Sequence, residues 1–296
     1  MSRRASTLVG FTAVLMWAIL ALLTTASGAV PPFQLAAMTF LIGGLMGALS
    51  WPFRPGAFAS LHQEWRVWAL GIGGLFFYHF VYFSAIRAAP AIEVSLIAYL
   101  WPLFLVLFSA FLPGEKLRFH HLAGILLGLT GAALVITRGE VLALQQGLGR
   151  GHLLAFLCAM IWAGYSVASR RFGKVSTDVV AGFCLATAAL SLVSHLVFEE
   201  TVWPATAGQW LAILGLGLLP VGAAFYTWDY GVKHGDIMVL GALSYASPLL
   251  SALILVLAGL APAHWSVAVA CLLVTCGALL ASRDMFLRKT ATRTAD

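Results

Sequence analysis

Two similar segments place a proline near the middle of a long apolar run, where it can free backbone carbonyls for binding. The segments AYLWPLF and SYASPLL are centred near Pro102 and Pro248. Proline has no N–H, so the carbonyls of Ala98 and Ser244, four residues earlier, lose their usual helical donor. Freed carbonyls in an apolar setting can accept hydrogen bonds from an ammonium group. The alternative is a packing kink whose backbone groups are satisfied by neighbouring helices.

Aromatic side chains with polar edges lie in the same apolar runs. Tyr78 and Tyr82 are four residues apart and share a helix face, with His79 beside it. Trp101 does not share the face of Tyr99 unless the proline bends the helix. A buried hydroxyl or indole N–H needs a partner, which favours a polar-edged aromatic cavity over the alternative of ordinary helix packing. The candidate substrate-binding residues are Trp17, Tyr78, His79, Tyr82, Tyr99, Trp101, Pro102, Trp162, Ser244, Tyr245 and Pro248.

Ionisable side chains are few within the apolar runs. His79 could titrate near neutral pH and couple transport to protons; a neutral, hydrogen-bonded histidine is the alternative. Asp229 and Lys233 are four residues apart near the end of one run and are expected to form a local pair. Glu93 and Arg87 flank a turn between two runs and are expected to stay hydrated.

No residue pattern points to catalysis, a metal or a cofactor. The four cysteines lie in apolar runs without metal-ligand spacing, which favours their being small buried hydrophobic residues. A membrane enzyme is an alternative without support from GxSxG or HExxH motifs. The sequence also lacks a GxxxxGK[ST] loop, so ATP-driven transport is not predicted.

The composition identifies lipid as the main solvent of the chain. Hydrophobic residues make up 61% of the 296 residues, charged residues only 9%, and the mean hydropathy is +0.95. A soluble protein carries about 25% charged residues. The net charge of +6 comes from basic residues scattered singly between apolar runs, so nucleic acid is not an expected partner.

Ten apolar runs approach the ~20 residues that a helix needs to span a bilayer. The first run could be a signal peptide but is interpreted as the first spanning helix. With the N-terminus in the cytoplasm, 14 of the 17 Lys and Arg residues fall in cytoplasmic segments, which predicts that both termini are cytoplasmic. The runs cover residues 8–26, 33–51, 67–86, 92–112, 122–137, 153–169, 179–198, 210–230, 237–260 and 265–282.

The second half of the chain repeats the first. An offset of 146 residues aligns AYLWPLF with SYASPLL, and an offset of 145 aligns Trp17 with Trp162. Each half has five runs, an odd number, so the halves cross the membrane in opposite senses. We therefore predict an all-α integral membrane protein with ten transmembrane helices in two five-helix inverted-topology repeats. The repeats cover residues 1–140 and 150–286, and residues 287–296 form a cytoplasmic tail.

The alignment of the two halves also pairs two aromatic residues. Tyr82 aligns with Trp228, and the two are candidate gates of one pathway.

The chain resembles the EamA-type exporters of the drug/metabolite transporter superfamily. The resemblance rests on the tryptophan of LMWAIL and MIWAGY, on YHFVYFSAIRAAPAIEVSLIAYLWPLF, and on the acidic turn PGEKL before GILLGLTGAALVI. The third and fourth runs look most like those of family members that export aromatic amino acids. The second half departs from the pattern, because Ala261 aligns with Glu115 of the acidic turn. The resemblance implies export across a bacterial inner membrane.

The predicted function combines the residues with this resemblance. Because Lys and Arg are missing near the middle of every run, a substrate that carries a phosphate group would lack the cationic side chains that usually bind it. The residues indicate a small amphipathic solute, and the resemblance implies export of aromatic and other large apolar amino acids. The predicted mechanism is alternating access around an aromatic cavity at the membrane midplane. The alternatives are exporters of other amphipathic metabolites or cationic drugs, a channel, and a lipid scramblase. The expected partners are an amino acid and the bilayer, with the oligomeric state left open.

Overall fold

The computed structural model describes residues 1–54, 56–140, 149–260, 262–281 and 283. Every regular element in these ranges is helical, which confirms the predicted all-α class. The predicted tail, residues 287–296, and Ala261 lie outside the described residues. In chain order, the apolar helices are α1 Arg3–Ala26, α2 Pro32–Phe53, α3 Trp65–Ile86, α4 Glu93–Ser109, α5 Phe119–Thr137, α6 Arg150–Phe172, α7 Val179–Phe198, α8 Ala207–His234, α9 Ile237–Leu257 and α10 Trp265–Ala281.

The lengths of these helices support a multi-pass membrane protein. Within the described residues, eight helices are long and apolar enough to cross a bilayer, while α4 and α10 are shorter. Large apolar side chains such as Leu153, Leu196 and Leu272 are each about two-thirds exposed, as expected of a surface that faces lipid. The count of ten crossings remains a prediction.

Helices α4 and α9 are interrupted beside the two prolines, as their positions predict. In α4, Tyr99 and Leu100 separate a first helix, which begins just upstream at Ala91 and ends at Ala98, from helix Trp101–Ser109. In α9, Tyr245 separates helix Ile237–Ser244 from helix Ala246–Leu257. Each proline thus lies in the first turn of a new helix, where its missing N–H would have had no intrahelical acceptor.

Two further irregularities occur in α3 and α8. Gly73–Phe77 and Leu219–Ala223 each form one turn of π-helix. Such turns widen a helix locally and release a backbone carbonyl, and they often lie at functional sites. The two turns are separated by the same offset of 146 residues that relates the two proline segments.

Glycines allow helices from the two halves of the chain to pack closely. A Cβ atom added to Gly10 of α1 would lie 2.9 Å from the Cα of Gly231 in α8. A Cβ atom on Gly43 of α2 would meet the Cα of Gly222 in α8 at the same distance. In lipid, helix association depends on close van der Waals contact, which small residues permit.

Ion pairs mark the two ends of the bundle. At one end, which we call the basic end, Arg3 and Arg170 bind Glu115 at 2.7 and 2.8 Å, and Arg3 also lies 3.2 Å from Asp236. At the opposite end, Arg87 binds Glu199 at 2.8 Å. These contacts join residues from both halves of the chain at each end.

The predicted Asp229–Lys233 pair is confirmed. The Lys233 Nζ lies 2.8 Å from the Asp229 carboxylate, and both side chains are almost fully buried near the basic end. The Thr177 hydroxyl donates a hydrogen bond of 2.7 Å to the same carboxylate. A buried charge needs such partners, because desolvation would otherwise penalise it by several kcal/mol.

The prediction that Glu93 stays hydrated is wrong. Glu93 is only 8% exposed, and its carboxylate contacts the Nε2 atom of His152 in α6. The His152 Nδ1 atom accepts a hydrogen bond of 2.9 Å from the backbone N–H of Gly149, so Nε2 carries the proton and donates to Glu93. The first turn of α4 is therefore tied to the first turn of α6, whereas Arg87 remains about half exposed, at 47%.

Candidate functional site

A cavity of about 640 Å³ lies in the centre of the bundle. Helices α1, α2, α3, α4, α6, α8 and α9 contribute to its walls. Thr25, Val30 and Arg87 line its outer part, so the cavity opens toward the end that carries the Arg87–Glu199 pair. The volume falls in the range of about 300–1,000 Å³ that is usual for small-molecule sites.

Tryptophans from three helices, Trp17, Trp101 and Trp162, form the inner end of this cavity, and Trp228 packs beneath them. The Trp17 ring centre lies 5.8 Å from that of Trp162, 6.3 Å from that of Trp101 and 5.2 Å from that of Trp228. The Trp17 Nε1–H donates a hydrogen bond of 3.0 Å to the carbonyl of Pro220, within the π-helical turn of α8. The irregular turn thus supplies the partner that this buried indole needs, and it holds Trp17 in one orientation.

Tyrosines form one side wall. The rings of Tyr78 and Tyr82 are parallel, with centres 6.2 Å apart, which confirms that they share a helix face. Tyr99, Ser95 and Ser247 line the cavity together with them. A Cβ atom at Gly241 of α9 would lie 3.3 Å from the carbonyl oxygen of Pro102, so α9 packs directly against the proline segment of α4.

His79 also lines the cavity, in an environment that favours its neutral form. Its Nδ1 atom lies 2.7 Å from the carbonyl oxygen of Leu75. A carbonyl can only accept, so Nδ1 carries the proton and Nε2 is the acceptor atom of the neutral ring. Phe40 and Tyr78 contact the ring edge to face at 5.0 and 5.1 Å. Among the described lining residues there is no Asp or Glu to stabilise an imidazolium.

The structure brings most of the predicted binding residues to one cavity. Trp101 and Tyr99 both line it, because the interruption of α4 between them removes the straight-helix geometry that would separate their faces. The predicted residues found in the lining are Trp17, Tyr78, His79, Tyr82, Tyr99, Trp101 and Trp162.

Four predicted binding residues lie outside the lining. Pro102 is buried behind it, and Ser244, Tyr245 and Pro248 are buried on α9. Tyr245 is fully buried and packs so closely on α5 that a Cβ atom at Gly128 would lie 2.6 Å from its ring. A role for these residues in substrate binding stays a prediction.

The two gate candidates occupy different positions along the cavity. Tyr82 lines the open part, whereas Trp228 is 1% exposed and lies beneath the tryptophans, toward the basic end. The Trp228 Nε1–H donates a hydrogen bond of 3.0 Å to the Ser166 hydroxyl of α6. Their function as gates stays a prediction.

Sequence reasoning missed several lining residues. Phe40 and Phe225 stack with ring centres 5.5 Å apart, Phe83 lies 6.0 Å from His79, and Ser247 lines the cavity with Tyr99. Phe225 lies three residues before Trp228 on one helix face, which was an available signal. Phe40 and Phe83 carried no such signal, because the chain has 19 phenylalanines scattered through its apolar runs and nothing in the sequence singles these two out.

The buried ion pair beneath the cavity leads to a stability prediction. We expect Asp229→Ala to destabilise the protein by ~3–5 kcal/mol, because it leaves the Lys233 charge buried without a partner. Thermal unfolding of the purified protein in detergent measures the loss. The double variant Asp229→Leu/Lys233→Met is the control, and it should lose much less stability. Equal losses in the single and double variants would contradict this account.

Comparison with known proteins agrees with this geometry. The profile of the EamA-like transporter family matches residues 5–137 and 149–283. The chain is 54% identical to the aromatic amino acid exporter YddG of Ancylobacter novellus, over 95% of this chain and 98% of that protein. It is 25% identical to the protein of the same name from Escherichia coli, over 95% and 97% of the two chains. A solved crystal structure at 54% identity superposes with a TM-score of 0.90 over 95% of this chain and 99% of the other. The resemblance predicted from the sequence is confirmed.

Proposed function

The chain belongs to the EamA-like transporter family, and from this premise we propose that it exports aromatic and other large apolar amino acids from the cytoplasm. The observation that carries this proposal is the aromatic cavity of about 640 Å³. Relatives named as aromatic amino acid exporters support the choice of substrate. The membrane is the bacterial inner membrane, as the organisms of these relatives suggest.

The cavity suits a zwitterion with an apolar side group. The side group would lie among the rings of Trp17, Trp162 and Phe225, which gain from burial and edge-to-face contact. Arg87 at the mouth offers a cation to the carboxylate, and the tyrosine hydroxyls offer uncharged partners. Because the described lining contains no carboxylate, organic cations are a poorer match than amino acids.

Alternating access is the proposed mechanism, with ten crossings arranged as inverted repeats of residues 1–140 and 150–286. The recurrence of helix interruptions and π-helical turns at one offset supports this arrangement. The basic end faces the cytoplasm in this proposal, in line with the excess of Lys and Arg in its loops. The structure is then the outward-open state, in which the ion pairs of Glu115 close the cytoplasmic side. Exchange of conformations between the repeats would open that side.

Counterflow in liposomes tests the proposed function. Purified protein is reconstituted, and uptake of labelled phenylalanine is measured with unlabelled amino acids inside. Internal phenylalanine or tryptophan is expected to accelerate uptake, because a carrier changes conformation faster with substrate bound than when it is empty. Internal aspartate or lysine is not expected to accelerate uptake. Liposomes without protein are the control. Flux without trans-acceleration would indicate a channel or scramblase, and no flux of any aromatic amino acid would overturn the proposal.

A further inference from the structure

A second cavity of about 610 Å³ lies at the basic end of the bundle, between the ends of α2 and α8 and the segment 173–178. We propose that this cavity, which we call the vestibule, is a loading site where the substrate amino acid binds before it enters the central cavity. This inference rests on the proposed function. The vestibule is defined here by Arg54, Lys174, Asp178, Tyr226, Tyr230 and His234.

The lining of the vestibule matches a zwitterion with an aromatic side chain. Tyr226, Tyr230 and His234 recur every four residues along α8 and so present one face to the space. The rings of Tyr230 and His234 have centres 4.7 Å apart. Arg54 and Lys174 offer cations to a carboxylate, and Asp178 offers an anion to an ammonium group.

The charges in the vestibule argue against an anionic lipid headgroup as its occupant. Arg54 is already paired with Asp178, so much of the positive charge of the wall is balanced. A site for a lipid phosphate would instead concentrate unopposed cations. A ligand that carries both charges can exchange with the Arg54–Asp178 pair without leaving either side chain unpartnered.

Helix α8 contributes to the walls of both the vestibule and the central cavity. Phe225 lines the central cavity, and Tyr226, the next residue of α8, lines the vestibule. Thr177 also lines the vestibule, and its hydroxyl is bonded to the buried Asp229. Thr177 thus connects the wall of the vestibule to the Asp229–Lys233 pair, and α8 connects it to the central cavity.

The wall of the vestibule is shaped to hold Tyr226 in place. Its hydroxyl donates a hydrogen bond of 3.0 Å to the carbonyl of Gly43. A Cβ atom at Gly47 would lie 2.1 Å from the same hydroxyl oxygen, so only glycine leaves room for it. The ring is therefore a fixed surface against which a substrate ring can pack.

The equivalent positions at the opposite end of the bundle are occupied by packed aromatic rings. At the repeat offsets of 145 and 146 residues, Asp178 corresponds to Phe33, Tyr226 to Phe80 and Arg54 to Glu199. Glu199 binds the backbone N–H of Phe33 at 3.0 Å, so the framework of contacts is retained.

The side chains on this shared framework differ between the two ends. The rings of Phe33 and Phe80 lie 5.5 Å apart and pack with Phe198. Polar side chains and space are thus found at the end where an exporter takes up its substrate. If these positions served only to hold the helices together, we would expect packed apolar side chains at both ends of the bundle.

Photolabelling tests the loading site. The protein in phosphatidylcholine nanodiscs is irradiated with 4-azidophenylalanine, and labelled peptides are identified by mass spectrometry. We expect two sets of labels, one in the central lining and one in residues 173–178 or 226–234, and phenylalanine should displace both. Lys174→Ala or Tyr230→Ala should raise the phenylalanine concentration that displaces the vestibule label by about 3- to 10-fold. The central label should stay unchanged, which also verifies that the variants are folded.

The controls separate this inference from its alternatives. Arg66→Ala removes an exposed cation outside the vestibule lining and should change neither label. Labels confined to the central cavity would overturn the loading site. Vestibule labelling that phosphatidylglycerol suppresses and phenylalanine does not would identify a lipid site instead. Counterflow of the wild-type protein, measured in parallel, distinguishes failure of the loading site from failure of the proposed function.

Discussion

Replacement of Trp162 by alanine is expected to lower kcat/KM for phenylalanine counterflow by about 10- to 100-fold. The estimate corresponds to loss of ~1.5–3 kcal/mol of apolar burial and ring contact with the substrate. Trp162 contacts the tryptophan cluster through Trp17 at 5.8 Å and the tyrosine wall through Tyr78 at 5.3 Å. It also lies 5.8 Å from Phe225. Its removal therefore opens the wall on three sides and leaves the substrate ring without a fixed partner.

Two control variants separate substrate binding from folding in this experiment. Trp162→Phe keeps an aromatic face and should retain most of the activity. Trp210→Ala removes a tryptophan that is 46% exposed and lies outside the cavity lining, and its activity should equal that of the wild type. Transport is measured on reconstituted protein whose thermal stability has been recorded. A folded Trp162→Ala protein with wild-type kcat/KM would remove this residue from the proposed site.

Gly231→Val is expected to have the largest effect on folding. A Cβ atom at Gly231 would lie 2.4 Å from the Cα of Gly10, and backbone atoms of two packed helices cannot move aside as a side-chain tip can. Helices α1 and α8 would have to separate, which also displaces Trp17 from its partner Pro220. Overpacking of a core commonly costs ~1–3 kcal/mol, and a clash between backbones belongs at or above the top of that range.

A matched glycine provides the control for this prediction. Gly164 lies in the middle of α6, and a Cβ atom there would meet nothing within 4 Å. Gly164→Val should therefore yield a monodisperse protein with a melting temperature near that of the wild type, whereas Gly231→Val should give little folded protein. Size-exclusion chromatography and thermal unfolding in detergent make the comparison. If the two variants gave similar yields of folded protein and similar melting temperatures, the close α1–α8 contact would not be required for folding.

The candidate site could be predicted in part because its residues obey local rules. Tyr78 and Tyr82 lie on one face because of helical periodicity, and Asp229 and Lys233 pair for the same reason. A proline inside a long apolar run interrupts the helix ahead of it, so the bend that brings Trp101 beside Tyr99 was also predictable in outline. Phe40 could not be singled out, because a phenylalanine in an apolar run fits packing against lipid, protein or substrate equally well.

Contacts between distant parts of the chain could not be predicted from such local rules. Glu93 is 59 residues from His152 in the sequence, and its position near a turn predicted hydration. Burial came from the packing of α6 against α4, which the local sequence does not encode. The vestibule has the same origin, since Arg54, Asp178 and Tyr230 come from three separate segments.

By itself, the sequence determined that this protein is helical and embedded in lipid. It also determined that α4 and α9 are interrupted beside their prolines and which family the chain belongs to, because hydropathy, periodicity and proline act over a few neighbouring residues. Only the tertiary structure decided which copy of the repeated motif meets the cavity. Tyr99 lines the cavity, whereas its equivalent Tyr245 is fully buried against Gly128. The two motifs are alike in sequence, and only the packing of the surrounding helices makes their environments differ, by leaving one end of the bundle open and closing the other.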